Sequence, residues 1–174
     1  MANGAVDAID AALFRRVMSS FTTGITVIST EVRGEFRGMT ANAFMSGSLE
    51  PPLCIVCVAK RARTHGMLVE AGHFGVNILA QGQEKLCMHF AGKPFADWQP
   101  PFEHIGRTPV LPGSSATITA DIVATHDCGD HTIFVGRITH LKAGIAAPLV
   151  LHGGRYAALM YSDEEFAAPV IDLW

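Results

Sequence analysis

Two neighbouring stretches carry residue types suited to binding chemistry. The first, GMTANAFMSGSLEPPL (38–53), holds a single charge, Glu50. Thr40, Asn42, Ser46 and Ser48 fall on even positions, and Met39, Ala41, Ala43 and Met45 on odd ones. Period two marks a strand. A strand face of short neutral donors and acceptors, with no Lys or Arg, suits a flat heteroaromatic ligand better than bulk water. The second stretch, AKRARTH, clusters Lys60, Arg61 and Arg63 just ahead of Thr64 at an expected helix start. Cationic side chains beside the free N–H groups of a helix N-terminus make an anion site. A polar shelf next to a phosphate grip fits a heteroaromatic nucleotide. A solvated basic loop is the plainer reading of the same cations.

Other chemistry is sparse. No GxGxxG, P-loop, HExxH or GxSxG motif occurs. The eight histidines are scattered, and no pair has helical ligand spacing beside a carboxylate. His126, Cys128 and His131 lie across one turn but lack the tight spacing of zinc sites. Cys54 and Cys57 form a CxxC inside the apolar run PPLCIVCVA. On a strand, positions three apart point to opposite faces, so these thiols neither share a metal nor form a disulfide. Acid–base carboxylate pairs are also missing. Chemistry of this kind belongs to a cofactor, with the protein supplying binding and orientation.

The elements that position these stretches are mostly short strands. A helix is expected over 10–20, capped by Asp10 and striped by Leu13, Phe14, Val17 and Met18. GITVISTE (24–31) reads as a strand and turns back around Gly34 into a second strand from about Phe36. Pro51 and Pro52 stop that strand, and LCIVCVA (53–59) is a buried one. A short helix runs from about Thr64 to its stop at Gly72, then a strand over 73–80 and a second short helix in GQEKLCMHFAG. Residues 92–112, rich in proline, read as a surface excursion. ATITADIVATHD and HTIFVGRITHLKAG form a hairpin around CGD, and a last strand is broken at Gly153 and Gly154. SDEEFAAPVIDLW closes the chain as an apolar anchor. The pattern is that of an antiparallel barrel with peripheral helices.

The 174 residues suit one domain, 1–174. A hydrophobic fraction of 49% is rich for a monomer of this size and favours an oligomer. The net charge of −3 and the absence of a basic tract argue against nucleic acid or an anionic membrane as partner. Apolar runs are too short to span a membrane. The N-terminus is acidic before it is basic, the wrong order for a secretory signal, so the expected compartment is the cytoplasm.

FTTGITVIST, GMTANAFMSGSLEPPL, RTHGMLVEAGHFGVNIL, GDHTIFVGRI and PLVLHGGRY together resemble the flavin reductase family, the reductase components of two-component flavin monooxygenases. The resemblance runs in order from about Phe14 to Leu159. It implies a mainly β fold with short α-helices, a Greek-key split β-barrel of the FMN-binding type, forming a homodimer with flavin at the subunit interface. Thr40, Ala41 and Asn42 match a T-x-N element expected beside the isoalloxazine. Ser46 and Ser48 match an S-x-S element nearer the ribityl chain and phosphate. Cys57 falls at a strand position turned to the flavin edge, and Lys60, Arg63 and Thr64 fall in the phosphate-binding turn. His131 matches a histidine near flavin and nicotinamide and is the candidate catalytic residue. Gly153, Gly154, Arg155 and Tyr156 match the closing HGGRY element, with Leu151 where an aromatic is common. The implied activity is hydride transfer from NADH or NADPH to FMN or FAD, with reduced flavin passed to a partner monooxygenase. Two other readings remain open at this point: a reductase that keeps its flavin and serves another acceptor, such as a metal–corrin or quinone, and a non-enzymatic flavin- or haem-binding module.

Overall fold

A computed structural model describes residues 9–160 of the chain. The expected apolar anchor at 162–174 lies outside the described residues, as do the first eight residues. Helix α1 (Ala11–Met18) begins where expected, because the Asp10 carboxylate accepts from the Leu13 amide at 2.7 Å. Its apolar stripe is present but uncovered: Phe14 and Val17 are 55% and 60% exposed.

The strand expected over 24–31 is two. Strand β1 (Thr23–Gly24) ends at Ile25, whose amide donates to Leu149 and whose carbonyl accepts from Leu79. β2 (Thr26–Val32) then turns through Arg33 and Gly34, at φ 52° and 78°, into β3 (Glu35–Ala41). Positive φ at both turn residues gives the tight twist a two-residue hairpin needs. After Asn42 and Ala43 come β4 (Phe44–Ser48), β5 (Leu53–Ala59) and helix α2 (Arg63–Ala71). Gly72 ends α2 in the left-handed conformation, at φ 70°. β6 (His73–Ile78) and α3 (Glu84–Phe90) follow. Beyond them lie β7 (Glu103–Ile105), β8 (Thr108–Val110), the long β9 (Ala116–Cys128) and β10 (His131–Ala143). The last pair is β11 (Val150–His152) and β12 (Arg155–Ala157).

Seven strands form one antiparallel sheet in the order β3-β2-β6-β9-β10-β5-β4. Its two edges, β3 and β4, are consecutive in sequence. Laid flat, those edges would stand about 29 Å apart at ~4.8 Å per strand. The link from Ala41 to Phe44 spans at most about 11 Å. The sheet therefore curls until its edges meet, and residues 35–48 are one bent strand serving both. β3 pairs with β2, β4 pairs with β5, and the Cys57 amide reaches the Ala43 carbonyl at 3.1 Å inside the bend.

Period two sends alternate residues to two cores. Ile28, Val56, Phe74, Val76 and Phe134 fill the barrel, plugged at one end by Leu68 of α2. Val27, Leu79, Leu86, Leu111 and Leu149 pack outside it, beneath α3. Residues 92–112 are more than a surface excursion. β7 and β8 form a hairpin whose second strand, with Leu111, is buried. The Ser29 hydroxyl donates to the Pro109 carbonyl at 2.6 Å, and the Leu111 amide to Asn77 Oδ1 at 2.7 Å. Gly75 permits the approach, since a Cβ there would sit 2.8 Å from the Pro109 oxygen.

Candidate functional site

The bent strand is the spine of the site, and its even-numbered residues meet different surroundings. Gly38 lies under α3, where a Cβ would come within 2.8 Å of the Phe90 ring. The Thr40 hydroxyl donates to the Cys87 carbonyl of α3 at 2.7 Å. Next to it, the Ala41 carbonyl accepts from the Thr26 hydroxyl at 2.7 Å. Asn42 is exposed at the bend and shares a hollow of about 200 Å³ with Gly154, Leu151 and Phe14. Ser46 is exposed opposite Cys54, and Ser48 is half-buried opposite Leu53, with a bulge between them at Gly47.

A second group gathers where β5 ends. Cys54 is buried and Cys57 faces the other way, as period two requires, and both are free thiols. Burial pushes the Cys54 thiol up to about 11. Burial, then neighbouring Cys128, raises that of Cys57. His131 stands opposite Ala59 and Cys128 at the start of β10. Its Nδ1 lies 2.7 Å from the Asp130 carboxylate. The hydrogen bond from His131, then its charge, holds Asp130 below the usual carboxylate range. Lys60 joins this group twice: its amide donates to the Asp130 carbonyl at 3.0 Å, and its ammonium is 3.1 Å from Asp127. Among the described residues no three His, Cys, Asp or Glu side chains gather as a metal set.

Three residues further on, α2 starts. Ala62 at its cap offers no side-chain acceptor, so first-turn N–H groups are left for another partner. Arg63 is exposed and Thr64 buried. Arg33, Arg37, Arg107 and Lys60 each have a carboxylate partner, whereas Arg63 makes no ion pair among the described residues. Arg63 and Thr64 border an open cleft of about 710 Å³ along the free edge of β3, beside Gly38 and Met39.

Gly153 and Gly154, at φ 56° and 74°, make the tight turn between β11 and β12. The Gly153 amide donates to the Ser19 carbonyl at 2.9 Å, and His152 Nδ1 lies 2.8 Å from the Thr22 hydroxyl, which ties this turn to the end of α1. Arg155 is exposed opposite His152. Tyr156 reaches back to α3, where a hydrogen bond with Cys87, then burial, pushes its phenol up to about 12.

The structure thus sets Arg63 and Thr64 beside Gly38 and Met39, Lys60 beside Asp130 and His131 with Cys57 two residues before the partner of His131 on β5, and Asn42 beside Gly154. Ser46, Ser48 and Arg155 line neither hollow. Sequence reasoning missed an aromatic cluster: Phe36 of β3 and Phe102 lie against one another, and Phe90 of α3 packs against both, at ring-centroid distances of 6.3 and 6.2 Å. Lys85 sits 4.4 Å from the Trp98 ring centroid nearby. Its signal was the density of rings in HFAGKPFADWQPPF (89–102).

A flavin reductase like domain family model matches residues 18–160. An NADH-dependent flavin reductase from a Rhodococcus species is 36% identical over 148 residues, covering 83% of this chain and 84% of the relative. The reductase component of 4-hydroxyphenylacetate 3-monooxygenase from Thermus thermophilus is 37% identical over 139 residues, covering 80% and 89%. The solved structure of the flavin reductase PheA2 in its native state superposes with a TM-score of 0.85 at 40% identity, covering 88% of this chain and 100% of that one.

Proposed function

Because the chain belongs to the flavin reductase like family, we propose that it is an NADH-dependent flavin reductase that supplies reduced flavin to a partner monooxygenase. The observation that carries the site is the uncapped N-terminus of α2, with unpaired Arg63, beside the free edge of β3. An edge strand offers backbone donors and acceptors in a row, and the helix start offers amides and a guanidinium. The two together fit a ring with a phosphate tail.

Thr40, Ala41 and Asn42 would hold the flavin ring, with Cys57 at its edge. Ser46 and Ser48 would offer hydroxyls to the ribityl chain, and Arg63 and the Thr64 amide would hold the phosphate. Lys60 shares its charge with Asp127 and adds to the field there. Thr40 acts mainly through the bend, because its proton is committed to Cys87. A flavin bound there would supply the redox chemistry, accepting a hydride from the dihydronicotinamide. The chain contributes orientation: two flat rings held in register replace a bimolecular encounter. His131, fixed by Asp130, orients the nicotinamide side and holds a proton at Nδ1. Gly153, Gly154, Arg155 and Tyr156 would cover the ring from the β11–β12 turn, where Gly154 borders the hollow beside Asn42.

The reading includes a homodimer, supported by the uncovered stripe of α1 and by exposed Met45 and Leu49 at the far end of the bent strand. Four free cysteines accord with a reducing cytoplasm. No helix among the described residues is long and apolar enough to cross a membrane.

The test is anaerobic oxidation of NADH and of NADPH, with no flavin, with FMN and with FAD. Turnover should rise and saturate with added flavin. Turnover that ignores added flavin would replace this reading with a reductase that keeps its flavin. Flavin binding without turnover would replace it with a storage module.

A further inference from the structure

The long strand β10 changes face part-way along. Over its first half the even-numbered residues point into the barrel: Thr132 and Phe134 are buried, and Ile138 packs on the same core. Strict alternation would carry His140 and Lys142 to that side as well. The pairing with β9 slips between Ile138 and His140, so that Thr139 is an extra residue, His140 stands opposite Thr119 and Lys142 opposite Thr117. The bulge turns His140 and Lys142 to the outer face of the sheet, where both border a cavity of about 590 Å³ beside the β7–β8 hairpin. That volume is in the range of small-molecule sites. The cavity shares no lining residue with the cleft along β3 or the hollow at Asn42.

The lining points to one ligand chemistry. Thr117 is only 6% exposed and borders the cavity, yet its hydroxyl makes no hydrogen bond among the described residues. A buried hydroxyl left without a partner is costly, and a ligand acceptor removes that cost. Its cross-strand neighbour Lys142 makes no ion pair among the described residues, and nor does His140. Ile105, Val110, Leu111 and Ile145 make the rest of the wall aliphatic. A carboxylate accepts from the ammonium and the hydroxyl together, and the aliphatic wall removes an apolar body attached to it from water. Inorganic phosphate would leave that wall wet.

We propose that this cavity binds a small carboxylic acid with an apolar body, its carboxylate held between Lys142 and Thr117. The site goes beyond the flavin reductase reading and does not depend on it.

The probe is benzoate, titrated into the full-length, isotope-labelled chain and followed by amide NMR shifts, with benzamide and inorganic phosphate as controls. A ligand of this size at ordinary efficiency per atom binds with a Kd of about 1 mM. Saturable shifts should appear at the Gly113, Gly144 and Ile145 amides, which border the cavity. Benzamide keeps the ring and loses the charge, phosphate keeps the charge and loses the ring, and each should bind about tenfold more weakly. Lys142 is exposed, so Lys142→Gln should fold normally and raise the benzoate Kd about tenfold. Thr117→Val keeps the volume and should raise it about fivefold. Glu103 also borders the cavity and is exposed, so Glu103→Gln should tighten benzoate by about twofold. The proposal is overturned if those three amides stay still at about 20 mM benzoate, enough to fill a millimolar site. It is equally overturned if benzamide or phosphate binds as well as benzoate, or if Lys142→Gln leaves the Kd unchanged. Shifts confined to Met39 and Gly92 would put benzoate in the cleft along β3 and overturn it too. NADH oxidation with FMN should be the same in Lys142→Gln as in wild type, so failure of the cavity is distinct from failure of the flavin reductase reading.

Discussion

Gly136 sits near the end of GDHTIFVGRI, and its packing gives it a role apart from any ligand. An added Cβ would lie 2.5 Å from Phe74 Cζ and 2.8 Å from both Phe74 Cε1 and the Ala120 Cβ. Non-bonded carbons prefer about 3.5–4.0 Å, so the neighbours must yield by about 1 Å. Phe74 is fully buried among Ile28, Val76 and Phe134, and its ring has no solvent to swing into. Overpacking of this kind costs about 1–3 kcal/mol. The lower chain entropy of unfolded alanine offsets about 0.4–1 kcal/mol. Gly136→Ala should therefore destabilise by a net ~1–2 kcal/mol, lowering Tm by about 2–8 °C for a chain of this length. Phe74→Leu removes the two ring atoms that collide, at a cavity cost of its own. In the double variant the two losses should fall short of their sum by about 1 kcal/mol. Thermal unfolding of the four proteins measures this. A Gly136→Ala Tm within about 1 °C of wild type, or strict additivity in the cycle, would refute the packing argument.

Two further perturbations probe charge. Arg63→Ala should raise the flavin Kd by about 5- to 30-fold in dilute buffer, the loss of one charge-assisted contact on an exposed helix start. The ratio should shrink toward one at about 1 M salt, where the Debye length falls to ~3 Å. Equal affinities in mutant and wild type at low salt would remove the phosphate assignment. His73 is buried with Nδ1 2.9 Å from the Thr108 hydroxyl, and burial, then the Arg107 charge, lowers its pKa below the ordinary 6.5. Between the folded and unfolded values the unfolded chain binds the extra proton, so stability rises with pH there. The contribution is complete above about 6.5 and is lost as pH falls through the lower folded value. Tm measured from about pH 5 to 8 should show a smaller slope in His73→Gln than in wild type; an unchanged slope would reject the role.

Local signals in the sequence placed most of the elements. The Asp10 cap, the turn at Gly34, the stop at Gly72 and the hairpin around Gly129 each depend on residues within one turn of each other. What stayed hidden depends on distant contacts. β8 is buried because Ser29, Gly75 and Asn77, remote in sequence, meet it with two hydrogen bonds and a missing side chain. Its proline, Pro109, together with those flanking it at 100, 101 and 112, reads locally as a loop. The candidate site divides the same way. Residues 40–64 are nearly contiguous in sequence, and the basic turn and neutral strand were readable together. The opposite wall of the cleft was not, because Phe90 and Phe102 reach β3 only after α3 folds back over Gly38.

The neutral face at 38–48 has a split explanation. At Gly38 and Thr40 the covering group is the protein itself: a lysine or glutamate there would be driven under α3 without a partner, at several kcal/mol. Neutrality at those two positions carries no information about a ligand. At Asn42 and Ser46 the situation reverses, since both are exposed and nothing in the fold forbids a charge. Edge strands that face water usually carry charges that block pairing with another chain. An exposed edge that stays neutral is therefore one that is meant to be covered, and the bend between β3 and β4 is where both free edges of the sheet come together. Within this stretch, Asn42 and Ser46 are therefore the positions whose neutrality the proposed ligand would explain. Replacing Asn42 or Ser46 with lysine should cost flavin affinity while leaving Tm within about 2 °C, because neither side chain is buried.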